Sequence, residues 1–158
     1  MKAVRSATIS LFLCLLHSFT AHAQLQKPKA LLVFGGEDHK TFLGCLNCVN
    51  TSVVSICNKY GKFGSPYQTD SIWNPYGHFG SKYYTESPWN HYTNKAPIIV
   101  DSDGNSYGYF SDNPYHRDRT RINWIVAAFD YYDTKDDLDK TRDKFCGDPV
   151  YEDEDDDN

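Results

Sequence analysis

The sequence predicts an α+β fold, in which small antiparallel β-hairpins flank three 16-residue turn-rich repeats and one amphipathic helix follows on the C-terminal side. Three observations carry this reading. Apolar runs at residues 30–34 and 97–100 each lead through a turn-rich stretch into a second apolar segment. Between them the chain repeats itself at a fixed 16-residue period. From Ile122 onward the apolar residues fall at helical spacing, at Ile125, Val126, Phe129 and Tyr132.

The chain begins with Lys2 and Arg5, an apolar stretch at residues 9–16, and the small-x-small triplet Ala21-His22-Ala23. That order of charge, apolar core and small residues is the pattern of a cleaved export signal. Residues 1–23 are therefore expected to be a signal peptide, 24–147 a single exported domain and 148–158 an acidic tail. The expected location is secreted or periplasmic. No later segment approaches the ~18 apolar residues of a membrane span, so none is expected after cleavage. The formal charge is −5, and seven of the 21 acids lie at or beyond Asp148, where there is no base. The tail is thus expected to repel itself and stay unstructured. The body is left close to neutral, which argues against broad electrostatic binding to nucleic acid. Asn50-Thr51-Ser52 is a glycosylation sequon, relevant only in a eukaryotic secretory host.

Four cysteines remain after the expected cleavage, Cys45, Cys48, Cys57 and Cys146, and an even number in an exported domain reads as two disulfides. Proximity favours Cys45–Cys48, leaving Cys57–Cys146, with Cys48–Cys57 as the rival pairing because a four-residue loop is tight. The same C-x-x-C spacing could serve a thiol oxidoreductase, but no amphipathic helix follows it to stabilise a thiolate. A four-thiolate zinc site would need a second close pair, and Cys146 stands alone.

The first hairpin is expected from residues 30–34 and 41–43, across the turn-rich residues 35–39. Residues 55–70 then align without gaps on 71–86, and a third copy begins at Ser87 and breaks off near Asn94. Asn58, Asn74 and Asn90 are equivalent, as are Tyr60, Tyr76 and Tyr92, while Cys57 stands where the other copies carry Trp73 and Trp89. Asn at such a position bonds local backbone or turns the chain. Cys57 therefore occupies an interior type of position, suited to a buried disulfide. His78 and His91 fall at variable repeat positions and read as surface residues. The aromatic positions can build a core or present a stacking platform for a sugar or peptide. The candidate ligand-binding residues are accordingly Trp73, Trp89, Tyr76, Tyr92, Asn74 and Asn90.

The second hairpin is expected from residues 97–100 and 107–110. Its turn carries Asp101-x-Asp103-x-Asn105, which resembles the opening of a calcium loop but has Gly104 two places early and Asp112, not the bidentate glutamate, at the twelfth position. A hairpin turn is the favoured reading. Arg117, Arg119 and Arg121 alternate ahead of the helix and could share an anion, with solvated arginines as the plainer alternative. Thr120 is the expected helix N-cap. Residues 133–144 are highly charged, with Leu138 and Phe145 as sparse anchors, so a second helix there would be marginal.

Taken together, Leu43-Gly-Cys-Leu-Asn-Cys48, the Ser-Ile-Trp-Asn and Tyr-Gly-x-Phe-Gly-Ser repeats, Ser87-Pro-Trp-Asn90, and the segment from Pro97 to Phe110 resemble a family of small exported bacterial proteins. The likeness spans roughly residues 30–125. It implies export, but it names no activity and no catalytic residues.

Gly104-Asn-Ser-Tyr-Gly108 matches G-x-S-x-G by spacing alone, lying in the expected hairpin with no helix after the serine, and H-E-x-x-H does not occur. The expected function is a non-catalytic exported domain, binding or structural, with an envelope or extracellular partner such as a glycan or protein and with no cofactor or metal. The alternatives are a secreted hydrolase using His39 or His116 with Glu37, Asp38 or Asp118, and the thiol oxidoreductase.

Overall fold

A computed structural model describes residues 28–147, so the expected signal peptide and acidic tail lie outside the described residues. Four strands form one antiparallel sheet: β1 (Leu32–Gly35), β2 (Thr41–Cys45), β3 (Ile98–Val100) and β4 (Ser106–Tyr109), in the order β2-β1-β3-β4. The pairs β1–β2 and β3–β4 are chain neighbours, and β1 joins β3 across the long segment between them. Alternation places Val33 and Ile99 inward, and both are fully buried with Leu43. Gly44 on β2 sits at φ 117, and a Cβ there would lie 2.7 Å from Ile56 Cγ2. Only glycine lets the first repeat lie this close to the strand.

Residues 55–94 form consecutive turns closed by hydrogen bonds that recur every 16 residues. The backbone N–H of Asn58, Asn74 and Asn90 donates to the carbonyl of Ser55, Ser71 and Ser87, each at 3.3 Å. The Oδ1 of the same asparagines accepts from the N–H of Tyr60, Tyr76 and Tyr92 at 3.2, 3.0 and 2.8 Å. Their Nδ2 atoms donate to the carbonyls of Ser52, Gln68 and Tyr84. Each asparagine thus satisfies backbone groups that have no sheet or helix partner.

The turns lie between the sheet and two helices. Phe63 packs edge-on against Phe42 of β2, and Phe79 reaches the backbone of Gly35 in β1. On the other side Trp73 meets Phe145, while Trp89 meets Phe129 and Tyr132. Cys57, at the Trp position, forms a disulfide with Cys146, and Cys45 bonds Cys48. The indole N–H of Trp73 donates to the Ile56 carbonyl at 2.8 Å, and that of Trp89 to the Ile72 carbonyl at 2.6 Å. These bonds let two large aromatics be buried with no polar atom left over.

The helices are α1 (Asn123–Lys135) and α2 (Leu138–Cys146), so the expectation of one C-terminal helix is corrected to two. Asp136 takes a left-handed conformation at φ 47 and ends α1, and the Asp137 carboxylate caps α2 by accepting from Lys140 N–H at 3.0 Å. With that cap and the disulfide at Cys146, α2 holds despite its few apolar residues. The expected N-cap is also corrected. Ile122 precedes α1 with no side-chain cap, and Thr120 lies buried further back, its Oγ1 accepting from Ile122 N–H. The amide of Thr120 is already committed to the Tyr109 carbonyl, which holds it beside the sheet.

Candidate functional site

Two surfaces stand out. The first is a series of exposed tyrosines. Tyr60, Tyr76 and Tyr92, equivalent by sequence, are 99%, 91% and 88% exposed. Because the Asn two residues earlier captures each tyrosine's backbone N–H, the turn presents the ring outward. Tyr115 is also exposed, and its N–H bonds Asn113 Oδ1 in the same way. Tyr67 and Tyr83 form a second exposed pair, one repeat apart.

The other candidates fall elsewhere. Trp73 and Trp89 are 0% and 1% exposed, which corrects the reading of their rings as an open stacking platform, although an edge of Trp89 borders the cleft described below. Asn74 and Asn90 spend their amides on the turns described above, so their role is structural. Of the six expected contact residues, Tyr76 and Tyr92 are the two that stand fully out into solvent.

The second surface is a cleft of about 600 Å³ between the third repeat, the segment after β4, and the end of α1. Three polar groups from these separate elements converge there. His91 Nδ1 lies 3.4 Å from Asp112 Oδ2 and 3.8 Å from Asp133 Oδ1. The Asp112 side chain is 1% exposed, and its Oδ1 has no hydrogen-bond partner among the described residues. Burial, reinforced by the Asp133 carboxylate, pushes the Asp112 carboxyl up to about 6 against the opposing pull of His91. At the rim Lys82 Nζ donates to Asp136 Oδ1 at 2.7 Å, which holds that carboxyl below its ordinary range. Burial pushes the phenol of Tyr132 upward, and the neighbouring Asp136 adds to the shift.

The sequence reading did not group these residues, because His91, Asp112 and Asp133 belong to different segments and share no ligand motif. One signal did exist. Asn113-Pro114-Tyr115 repeats Asn74-Pro75-Tyr76, marking residues 111–115 as another turn of the same construction. In keeping with that, Ser111 Oγ accepts from Asn113 N–H just as Ser71 Oγ accepts from Trp73 N–H.

The candidate hydrolase residues form no nucleophile–base arrangement among themselves. His39 Nε2 contacts the Ala96 carbonyl at 3.1 Å, and both His39 and His116 pack against the ring of Tyr109. Burial lowers the His116 pKa. Glu37 pairs with Lys95 and Asp38 with Lys40, both at the surface. The Asp118 carbonyl accepts from Tyr109 N–H.

Asp101 is surrounded by donors rather than poised for calcium. It accepts from the N–H groups of Asp103 and Asn105, from Asn105 Nδ2 and from the Tyr107 hydroxyl. These bonds, the Asn105 amide foremost, hold its carboxyl well below the usual range. Arg119 bonds the Ser111 carbonyl through Nε and lies over the face of Phe129, and it shares a shallow pocket with Arg117 and Arg121. Cys45, at the end of β2, is fully buried in its disulfide.

The chain is a small disulfide-linked α+β protein, and no described helix is long and apolar enough to cross a membrane. Compared with family models, curated proteins and solved structures, it matches none.

Proposed function

We propose that this is an exported, non-catalytic binding domain, related to the small exported bacterial proteins it resembles, whose contact face is the row of repeat tyrosines. The observation that carries the reading is the near-complete exposure of Tyr60, Tyr76 and Tyr92 at equivalent positions. Phenol rings combine an apolar face with a hydroxyl and suit stacking on sugars or on extended peptide. Their regular recurrence suits an extended partner with its own repeat, such as an envelope glycan. The two disulfides fit an oxidising compartment outside the cytosol. His39 and His116 are packed against Tyr109 and Cys45 is buried in its disulfide, so neither the hydrolase nor the oxidoreductase alternative finds support in these groups.

The test is binding of the exported protein to glycan arrays and to isolated cell-envelope fractions, beside the Tyr60→Ser, Tyr76→Ser, Tyr92→Ser triple variant. Loss of about tenfold or more in affinity, with an unchanged circular-dichroism spectrum, is expected. Equal retention of both proteins, or no binding by either, would refute the reading.

A further inference from the structure

We propose that His91, Asp112 and Asp133 form a binding site for one divalent transition-metal ion of the zinc class. This inference concerns the cleft, which shares Tyr92 with the tyrosine face but does not rest on that reading.

The donor atoms of the three residues all lie within 4.8 Å of one another. Zinc bonds nitrogen and oxygen ligands at about 2.0–2.2 Å, so two ligands of a tetrahedral ion stand about 3.4 Å apart. The separations of 3.4 and 3.8 Å from His91 Nδ1 to the two carboxylates match that edge with little adjustment. One imidazole with two carboxylates suits zinc or its neighbours better than calcium or magnesium, which favour all-oxygen sets.

A second observation points the same way. Asp112 is buried, yet Oδ1 has no hydrogen-bond partner among the described residues, and Asp133 brings a second carboxylate to within 4.8 Å. A buried carboxylate left half-unpaired beside another acid is costly unless a cation settles between them. The half-exposed His91 meets one oxygen of each acid. The three ligands come from the third repeat, the segment after β4, and α1. Each is held by its own element: the backbone of Asp112 donates to the Pro88 carbonyl at 2.7 Å, and Asp133 follows the buried Tyr132. Three protein ligands would leave a fourth position open toward the cleft, where Tyr92 and Tyr132 form walls.

The experiment uses the full exported chain after chelator treatment, titrated with Zn²⁺ by calorimetry and with Co²⁺ by visible absorption. Wild type is expected to bind one equivalent, with the intense Co²⁺ absorption of a four- or five-coordinate nitrogen–oxygen site. His91→Ala and Asp133→Asn, both at solvent-accessible positions, and the isosteric Asp112→Asn should each weaken binding about tenfold or more. His78→Ala, removing a histidine that pairs instead with Glu86, should leave the affinity unchanged. Failure of wild type to bind at about 1 mM Zn²⁺, or equal affinity in the His91 and Asp133 variants, would overturn the proposal. If Asp112→Asn does not fold, the other two variants decide.

Discussion

Substituting Trp89 by Phe tests the packing between the turns and the helices. Phenylalanine retains a ring for Phe110, Phe129 and Tyr132, but it removes the indole N–H that donates to the Ile72 carbonyl at 2.6 Å. Ile72 is fully buried, so its carbonyl loses its donor without gaining water. An orphaned buried group of this kind costs about 1–3 kcal/mol. The lost half of the indole removes roughly 40 Å² of buried apolar area, about 1 kcal/mol more. The expected loss is therefore about 2–4 kcal/mol, read as a lower urea midpoint with unchanged slope and both disulfides intact. Trp124, which is 43% exposed, supplies the comparison, and its Phe variant should shift the midpoint by under about 1 kcal/mol. A Trp89→Phe loss below about 0.5 kcal/mol, or one equal to that of Trp124→Phe, would show that the indole is not buried and bonded as described.

Replacing Cys57 and Cys146 together by serine opens a link spanning 89 residues. The chain-entropy relation sets the loss at about 4.6 kcal/mol, measurable as a lower denaturant midpoint, and a loss below about 1 kcal/mol would contradict it. Gly80→Ala should be among the most damaging single changes, since the new Cβ would lie 2.1 Å from the Asn74 carbonyl oxygen. Gly104→Ala meets no neighbour and bears only the cost of φ +83, so its thermal midpoint should fall far less. Asp101 contributes to acid stability. Its carboxyl is held low in the fold, so the contribution is complete above the ordinary carboxylate pKa of about 4 and fades as pH falls toward the folded value. Urea midpoints followed downward from pH 6 should therefore converge for wild type and Asp101→Asn, and a gap that widens with acid would refute the assignment.

The strand segments were legible because each apolar run is bounded by Gly, Asp and Asn, and a two-residue period survives in even the shortest strand. The sulfur pairing was legible for a different reason: Cys45 and Cys48 are three residues apart, which leaves Cys57 for Cys146, and Cys57 stands at the interior position that Trp holds in the other copies. The second helix was harder to see. Leu138 and Phe145 are too few for a periodic signal, and what holds α2 is the Asp137 cap and a covalent bond to a residue 89 positions away. The direction of Trp73 and Trp89 was not readable, since a large aromatic serves a core and a stacking surface equally well until its N–H has a partner. The cleft was the least legible. Its histidine and carboxylates are common surface residues individually, and only tertiary packing brings them within reach of one another.

Each turn unit offers one carbonyl that the next consumes: Ile56 to Trp73, Ile72 to Trp89, and finally Pro88 to the amide of Asp112. The last of these is a backbone donor, not an indole, so it ends the series and leaves no acceptor for a further copy. Residues 111–115 thus act as a stopper that fixes the array's length. Adding a fourth unit would require carrying this terminating segment along with it, and with that segment would go the buried acid on the floor of the cleft.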